Sequence, residues 1–471
     1  MPSSRNKGLS RPKVPHDDPA VAAALSVPLL AKCDEALEVV DASTFPASHK
    51  LVDVARWYMD RLTEEQQEQL NEAVSTACAQ GRALKVGSMC SGTESPIAVM
   101  RNLEQALEGK LKVEHSFSCE YDPRKQAWIR ENFPDLEILF KDVTELKNQK
   151  AVNVLTNELV EVPKVDILIA GFVCKSVSTE NNQRKKYKNC IREATGKTGE
   201  TFDGMMAYVK KHLPTLVLCE NVKGITMRNK GAEPVILHVR ESFCVAGYAF
   251  DFKVLDSRKY LLPQRRQRCW MWAFKGIEHQ GSVEKTTGTV LALASGDHFS
   301  LNTLFKMAGV AESPESGLNK RQERVVNACL EKLKPAQRTL DVLVDVAKSE
   351  ERAPCCINAT SCLVPNSIPY RLKTKSILTA VQVLACQGMY KDDFPKMEQF
   401  ATQKTRLVRD LVGNAFSTTV CMAAIIACLS HVPFRDISAP TNMPPRQSRN
   451  VCSTALFKRQ RLSRDLISFY A

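Results

Sequence analysis

The stretch Val165-Asp166-Ile167-Leu168-Ile169-Ala170-Gly171-Phe172-Val173-Cys174 decides how the chain is read. Its first six residues form an apolar run broken only by Asp166, the pattern of a strand buried on both faces. Cys174 falls where such a strand opens into a loop. That loop is polar and basic: Lys175-Ser176-Val177-Ser178-Thr179-Glu180, then Arg184-Lys185-Lys186. Ligands of open α/β sheets bind at the carboxyl ends of strands, so Cys174 is a candidate nucleophile. A lone cysteine is more often inert packing, so the weight falls on its company.

Working outward, short apolar runs at Leu84–Val86, Val113–Cys119, Leu216–Cys219 and Cys269–Phe274 predict further strands. Helical stretches at Ser95–Glu108, Pro123–Asn132 and Phe202–His212 lie between them. This alternation over residues 81–276 predicts an α/β fold built on a doubly wound parallel sheet. Residues 20–80 read as a helical segment, with Thr63-Glu64-Glu65-Gln66 as a capped helix start. Residues 1–19 read as a disordered basic tail. Near Lys275 the alternation stops. Residues 277–375 read as an irregular insertion with one amphipathic helix near Gln322–Leu333. Residues 376–432 resume with helices near Leu378–Cys386 and Ser417–Leu429. Residues 433–471 read as a tail with a basic cluster at Lys458–Arg464.

A formal net charge of +13 points to a polyanionic partner, nucleic acid first. The 17 cysteines include no Cys-x-x-Cys and no zinc-like spacing, so reduced thiols and no metal site are expected. No uninterrupted apolar run of 18 residues predicts a membrane span. The first residues lack a signal-peptide core.

The first predicted strand leads into Ser91-Gly92-Thr93, a small-residue turn that lets a ligand approach the backbone. The second ends in Glu120-Tyr121, a carboxylate for ribose hydroxyls beside a ring able to stack on adenine. Asp142-Val143 suits an adenine amino group. Gly196-Lys197-Thr198 mimics the end of a phosphate-binding loop, but Ile191 stands where its first glycine belongs. A nucleoside without a triphosphate fits better. Glu220-Asn221-Val222 follows the Leu216–Cys219 strand, and Gln264-Arg265-Arg266-Gln267-Arg268 precedes the next.

In this order the motifs resemble those of the DNA (cytosine-5) methyltransferase family. The resemblance runs from about Leu84 to Phe274 and again from about Pro365 to Leu429. It includes Leu378-Thr379, Leu384 to Gly388, and Val412-Gly413-Asn414-Ala415. It implies a Rossmann-like, S-adenosyl-L-methionine-dependent fold with a small inserted target-recognition domain. Cys174, Glu220, Arg268 and Arg266 become the catalytic set: thiolate attack on carbon 6, contacts to nitrogen 3 and the amino group, a hold on oxygen 2, and orientation. The thiol's pKa is then expected to be lowered by nearby arginines and lysines. Ser91, Gly92, Thr93, Glu120, Tyr121, Asp142, Val143, Val173, Asn414 and Ala415 are the implied cofactor residues. Lys175, Ser178, Arg184, Lys185, Lys186, Gln264 and Arg265 are the implied nucleic-acid contacts. DNA is the implied partner of a monomeric, nuclear protein. RNA as substrate and a catalytically weak DNA-binding scaffold are the alternatives. Val173, Lys175 and Cys90 depart from the proline, glutamine and aromatic residue usual in the family.

Overall fold

The computed structural model describes residues 45–434 other than 91, 182, 188 and 229–232. The readings for residues 1–19, 20–44, Ser91 and Lys458–Arg464 lie outside the described residues. In chain order the first elements are α1 (Leu51–Met59), α2 (Glu64–Ala77), β1 (Leu84–Met89), α3 (Ser95–Ala106), β2 (Val113–Cys119) and α4 (Pro123–Asn132). Then follow β3 (Leu139–Phe140), β4 (Lys150–Asn153), β5 (Glu158–Glu161), β6 (Ile167–Ala170), α5 (Gly196–His212), β7 (Leu216–Val222) and α6 (Val235–Val245). Strands β8 (Tyr248–Asp256) and β9 (Gln267–Lys275) complete this sheet, in the order β5-β4-β3-β2-β1-β6-β7-β9-β8.

Both faces of the central strands are buried, and burial alternates with the pleat. Leu168, Ala170, Val217 and Cys219 join Phe202, Met205, Val239 and Phe243 in one core beneath α5 and α6. The intervening Ile167, Ile169, Leu216 and Leu218 are buried on the opposite face. That is why these strands read as unbroken apolar runs.

The expected parallel sheet is corrected to a mixed one. β1, β2, β3, β6 and β7 pair in parallel. β9 runs antiparallel to both β7 and β8, and β4 and β5 are antiparallel. The β8–β9 link, residues 257–266, contains no crossover helix, so the two strands close as an antiparallel pair.

The insertion is also more regular than expected. α7 (Gln280–Ala292) packs on the sheet, with Trp272 Nε1 donating to Val283 O at 3.0 Å. After it come α8 (Leu301–Met307), α9 (Lys320–Lys332), β10 (Val342–Asp345), β11 (Cys355–Ile357), β12 (Pro369–Arg371) and β13 (Ser376–Ile377). The last four form an antiparallel sheet, β11-β10-β12-β13, with its own core of Val325, Cys329, Val342, Val344 and Tyr370. Strands of two to four residues are too short for alternation to register.

The chain returns through α10 (Ala380–Ala385), α11 (Met397–Gln403), α12 (Thr405–Asn414) and α13 (Thr418–Leu429). The segment Thr405–Leu429 is long and apolar enough to cross a membrane, but its most apolar part is almost wholly buried in the protein. It is two helices broken at Ala415-Phe416-Ser417. α13 packs against α1, α3 and α7, which accounts for its apolarity on every side. The capped start of α2 forms as read: Thr63 Oγ1 accepts from Gln66 N at 3.3 Å, and Gln66 Oε1 accepts from Thr63 N at 3.0 Å.

Candidate active site

The strand order reverses between β1 and β6, the switch point where open sheets bind ligands. Cys174 lies four residues beyond β6. Its carbonyl accepts from Val177 N at 3.1 Å and Ser178 N at 2.9 Å, so the chain turns immediately after the thiol. Two threonines of α5 hold this turn: Ser176 N donates to Thr198 Oγ1 at 3.0 Å and Val173 N to Thr201 Oγ1 at 3.2 Å. A proline at 173 would have no N–H to give Thr201, so valine replaces ring rigidity with a hydrogen bond. From below, a Cβ on Gly224 would lie 2.3 Å from Val177 O, so only glycine fits there.

Glu220 and Asn221 sit within β7 and do not follow it. Asn221 Nδ2 donates to Phe172 O at 2.9 Å, tying the nucleophile loop to the next strand. Arg268 belongs to β9 and pairs with Val222, while Glu220 pairs with Trp270. The diagonal neighbours Glu220 and Arg268 therefore share a face. Arg268 Nε lies 3.2 Å from Glu220 Oε1, both side chains 11% exposed. Burial pushes the Glu220 carboxyl pKa up, against Arg268 and Arg266.

The expected lowering of the Cys174 pKa is corrected. Burial dominates and raises it; Arg268 and Arg266 pull it down without prevailing, and Glu220 raises it further. Lys175 is exposed and is not among the groups that shift the thiol. A second thiol, Cys362, donates to Leu363 O at 3.8 Å and feels the charge of Arg268. Burial opposes its ionisation, but Arg268 and Arg266 outweigh it and bring this pKa below the ordinary value. Iodoacetamide at neutral pH is accordingly expected to label Cys362 ahead of Cys174, with Cys174 labelling climbing with pH through 9 and above. Peptide mass spectrometry reads both rates; faster labelling of Cys174 at neutral pH contradicts the ordering. Nothing in the sequence around Cys362 distinguishes it, because Arg268 lies 94 residues upstream.

Two assignments change role. Arg266 is 2% exposed and faces backbone. Its Nη1 donates to Leu363 O at 2.9 Å and Nη2 to Ala415 O at 2.8 Å, and both reach Gly413 O at 3.3 Å. It is a positioning residue, its charge spent on carbonyls. Burial and Arg268 push its pKa down to about 10, which leaves it charged at neutrality. Gln264 is wholly buried and cannot touch nucleic acid: its Nε2 donates to Cys386 O at 3.0 Å and its Oε1 accepts from Leu363 N at 3.2 Å. Arg265 and Ser178 are half-buried, and Lys175 and Lys186 exposed. The backbone of Arg184–Tyr187 forms a 3₁₀ turn; the side chains of Arg184 and Lys185 are outside the described ones.

On the other side of the switch point, Gly92 adopts φ +67°, and a Cβ there would meet only Glu120 Oε2 and Lys125 Cδ, each at 3.9 Å. Glu120 is 8% exposed, with Oε1 accepting from Asp122 N at 2.9 Å. Burial raises its pKa, with Lys125 opposing. Burial, Glu120 and Asp142 together push the Cys90 thiol up to about 12. Cys90 therefore stays a neutral thiol at neutral pH. Asp142 Oδ1 accepts from Thr144 N at 2.9 Å and Thr144 Oγ1 at 2.8 Å. Tyr121 is 66% exposed, with Lys141 Nζ 5.5 Å from its ring centre. Thr93 O accepts from Trp128 Nε1 at 3.1 Å, Val143 is buried, and Asn414 Nδ2 donates to Asp410 O at 2.9 Å. A turn open to a ligand's backbone approach and two carboxylates at neighbouring strand ends suit a nucleoside-bearing cofactor better than a triphosphate.

The DNA (cytosine-5-)-methyltransferase DMT5 of Cryptococcus neoformans var. grubii is 30% identical over 427 residues, covering 74% of this chain and 17% of that protein. The type II methyltransferase M.Bsp6I of a Bacillus species is 25% identical over 178 residues, 37% of this chain and 53% of that one. The chain thus spans a minor part of the fungal relative and about half of the bacterial one. The solved S. pombe Dnmt2 methyltransferase aligns at 13% identity and TM-score 0.40, over 74% of this chain and 98% of that one. The sequence model for the C-5 cytosine-specific DNA methylases matches residues 88–429, and the chain belongs to that family.

Proposed function

We propose that the protein is a DNA (cytosine-5-)-methyltransferase that uses S-adenosyl-L-methionine and works through a covalent cysteine adduct. The observation that carries the reading is the grouping at one sheet edge: Cys174 beyond β6, Glu220 in the adjoining β7, and Arg268 3.2 Å from Glu220. Cys174 bonds to carbon 6 of cytosine once its thiol has lost its proton. Glu220 hydrogen-bonds nitrogen 3 and stabilises the negative charge pushed into the ring; its raised pKa suits a donor. Arg268 holds oxygen 2. S-adenosyl-L-methionine, when bound, supplies an electrophilic methyl group, which the activated carbon 5 accepts. Loss of the carbon 5 proton to a base lets Cys174 leave. Gly92, Thr93, Glu120, Tyr121, Asp142, Val143, Val173, Asn414 and Ala415 are the proposed cofactor residues; Ser91 lies outside the described ones.

The target base has to leave the duplex to reach Cys174, at a cost of about a few kcal/mol. Residues 277–375, which hold β10, β11 and β12, are the proposed target-recognition region. Lys175, Ser178, Arg265 and Lys186 are the proposed phosphate contacts, with Arg184 and Lys185 by sequence. A monomer working in the nucleus is the corresponding proposal for state and place.

The test offers duplex DNA and transfer RNA in parallel, with methyl-labelled S-adenosyl-L-methionine, followed by nucleoside mass spectrometry. The expected product is 5-methylcytosine in DNA. Label confined to RNA moves the substrate, and no label in either polymer leaves the scaffold reading.

A further inference from the structure

Glu180, six residues past Cys174, is held by two cations of the insertion. Lys348 Nζ lies 3.2 Å and Arg352 Nη1 2.9 Å from the same oxygen, Glu180 Oε2. The cations sit on a turn fixed independently of Glu180. Asp345 Oδ1 accepts from Ala347 N at 3.1 Å and Ile368 N at 2.9 Å. Arg321 of α9 donates to Ala347 O and Lys348 O at 3.2 and 3.1 Å, and Lys332 to Glu351 O and Arg352 O at 3.1 and 3.4 Å. The turn's carbonyls are thus occupied by basic side chains, and Lys348 and Arg352 both reach Glu180. The carboxylate side is tied to the nucleophile: Asn181 Nδ2 donates to Lys175 O at 2.7 Å, and Ser178 N to Cys174 O at 2.9 Å.

We propose that Lys348 and Arg352 form a binding site for a phosphate of duplex DNA, that Glu180 occupies it when DNA is absent, and that phosphate entry unlatches the nucleophile loop. This rests on the DNA reading above. Two cations converging on one oxygen match a phosphate as well as a carboxylate, and a phosphate brings further contacts along the backbone. Glu180 and Arg352 are each more than half exposed, so solvent screens the resident pair and a polyanion can displace it. Displacing Glu180 breaks both of the ion pairs that join it to this turn. DNA binding and loop release become one exchange of anions.

The experiment is a salt titration of duplex DNA binding by the full chain, wild type and Glu180→Gln, by fluorescence anisotropy. Glutamine keeps the side chain's size and removes the charge that competes with phosphate. The expected result is several-fold tighter binding at low salt and a log–log salt slope steeper by about one. Lys348→Gln with Arg352→Gln is expected to weaken binding, flatten the slope and cancel the effect of Glu180→Gln when combined with it. Circular dichroism of each variant confirms folding. Unchanged affinity and slope in Glu180→Gln, or equal effects with and without the two cations, overturn the latch while wild-type binding keeps the DNA reading standing. Wild type that binds transfer RNA and no duplex overturns both.

Discussion

Cys174→Ser is expected to lower methyl transfer by on the order of 10⁴ to 10⁶-fold, while leaving DNA binding intact. The loop around residue 174 is held by Thr198, Thr201, Asn221 and the backbone of Cys174, none of which needs the sulfur. Serine therefore keeps the geometry and removes the chemistry. A hydroxyl is a far weaker acid than a thiol, and this site already works against the anion: burial holds even the Cys174 thiol above its ordinary pKa. Two measurements check it: labelled methyl transfer, and a denaturant-stable adduct with DNA carrying 5-fluorocytosine. Wild type is expected to form the adduct and Cys174→Ser is not. Transfer that survives the substitution would assign the attack to another group, with Cys362, which feels the charge of Arg268, first in line. Glu220→Gln is the companion case. It keeps a hydrogen bond to the ring and loses the acid, so a smaller loss of about 10² to 10⁴-fold is expected.

Much of this site was legible because its carriers stand at the ends of buried parallel strands. β6 and β7 are apolar at every position up to Ala170 and Cys219, so the first polar or reactive residues beyond them mark the sheet edge. The bounds of β2 and α4 agree with the reading: β2 ends at Cys119, and Asp122 caps α4 with Pro123 at its start. What was not legible depends on partners distant in sequence. Whether β9 is parallel or antiparallel cannot be read from Cys269–Phe274, because its neighbour β8 mixes charged and apolar residues. Gln264, Arg266 and Arg268 look alike as a polar run. The fold sends the first two inward to carbonyls about 100 to 150 positions away and leaves Arg268 at the site. Gln264 was read as a nucleic-acid contact, and its burial, with bonds to Cys386 and Leu363, places it in the interior instead.

That division makes Arg266 the place where the fold and the site can be separated by experiment. Its guanidinium joins the β11–β12 connection of the insertion at Leu363 to the last turn of α12 at Gly413 and the following Ala415. The two segments touch there: a Cβ on Gly413 would lie 2.2 Å from Pro365 N. Gln387 reinforces the joint, donating to Val412 O at 2.8 Å and accepting from Ser417 Oγ at 2.9 Å. Arg266→Ala leaves three buried carbonyls without their donor and opens a void the size of a long side chain. The expected cost is about 3–5 kcal/mol, a large share of the roughly 5–15 kcal/mol that keeps a domain folded. Arg266→Lys keeps the charge but lacks the planar fork that spans several acceptors, so about half that loss is expected. Urea midpoints for the two variants read the stability. Because Ala415 and Asn414 lie in the same stretch as Gly413, binding of S-adenosyl-L-methionine by calorimetry is expected to weaken in Arg266→Lys even under conditions where it is fully folded. If Arg266→Ala instead keeps the wild-type midpoint and cofactor affinity while transfer collapses, the guanidinium acts on the substrate, and the division between Arg266 and Arg268 is wrong.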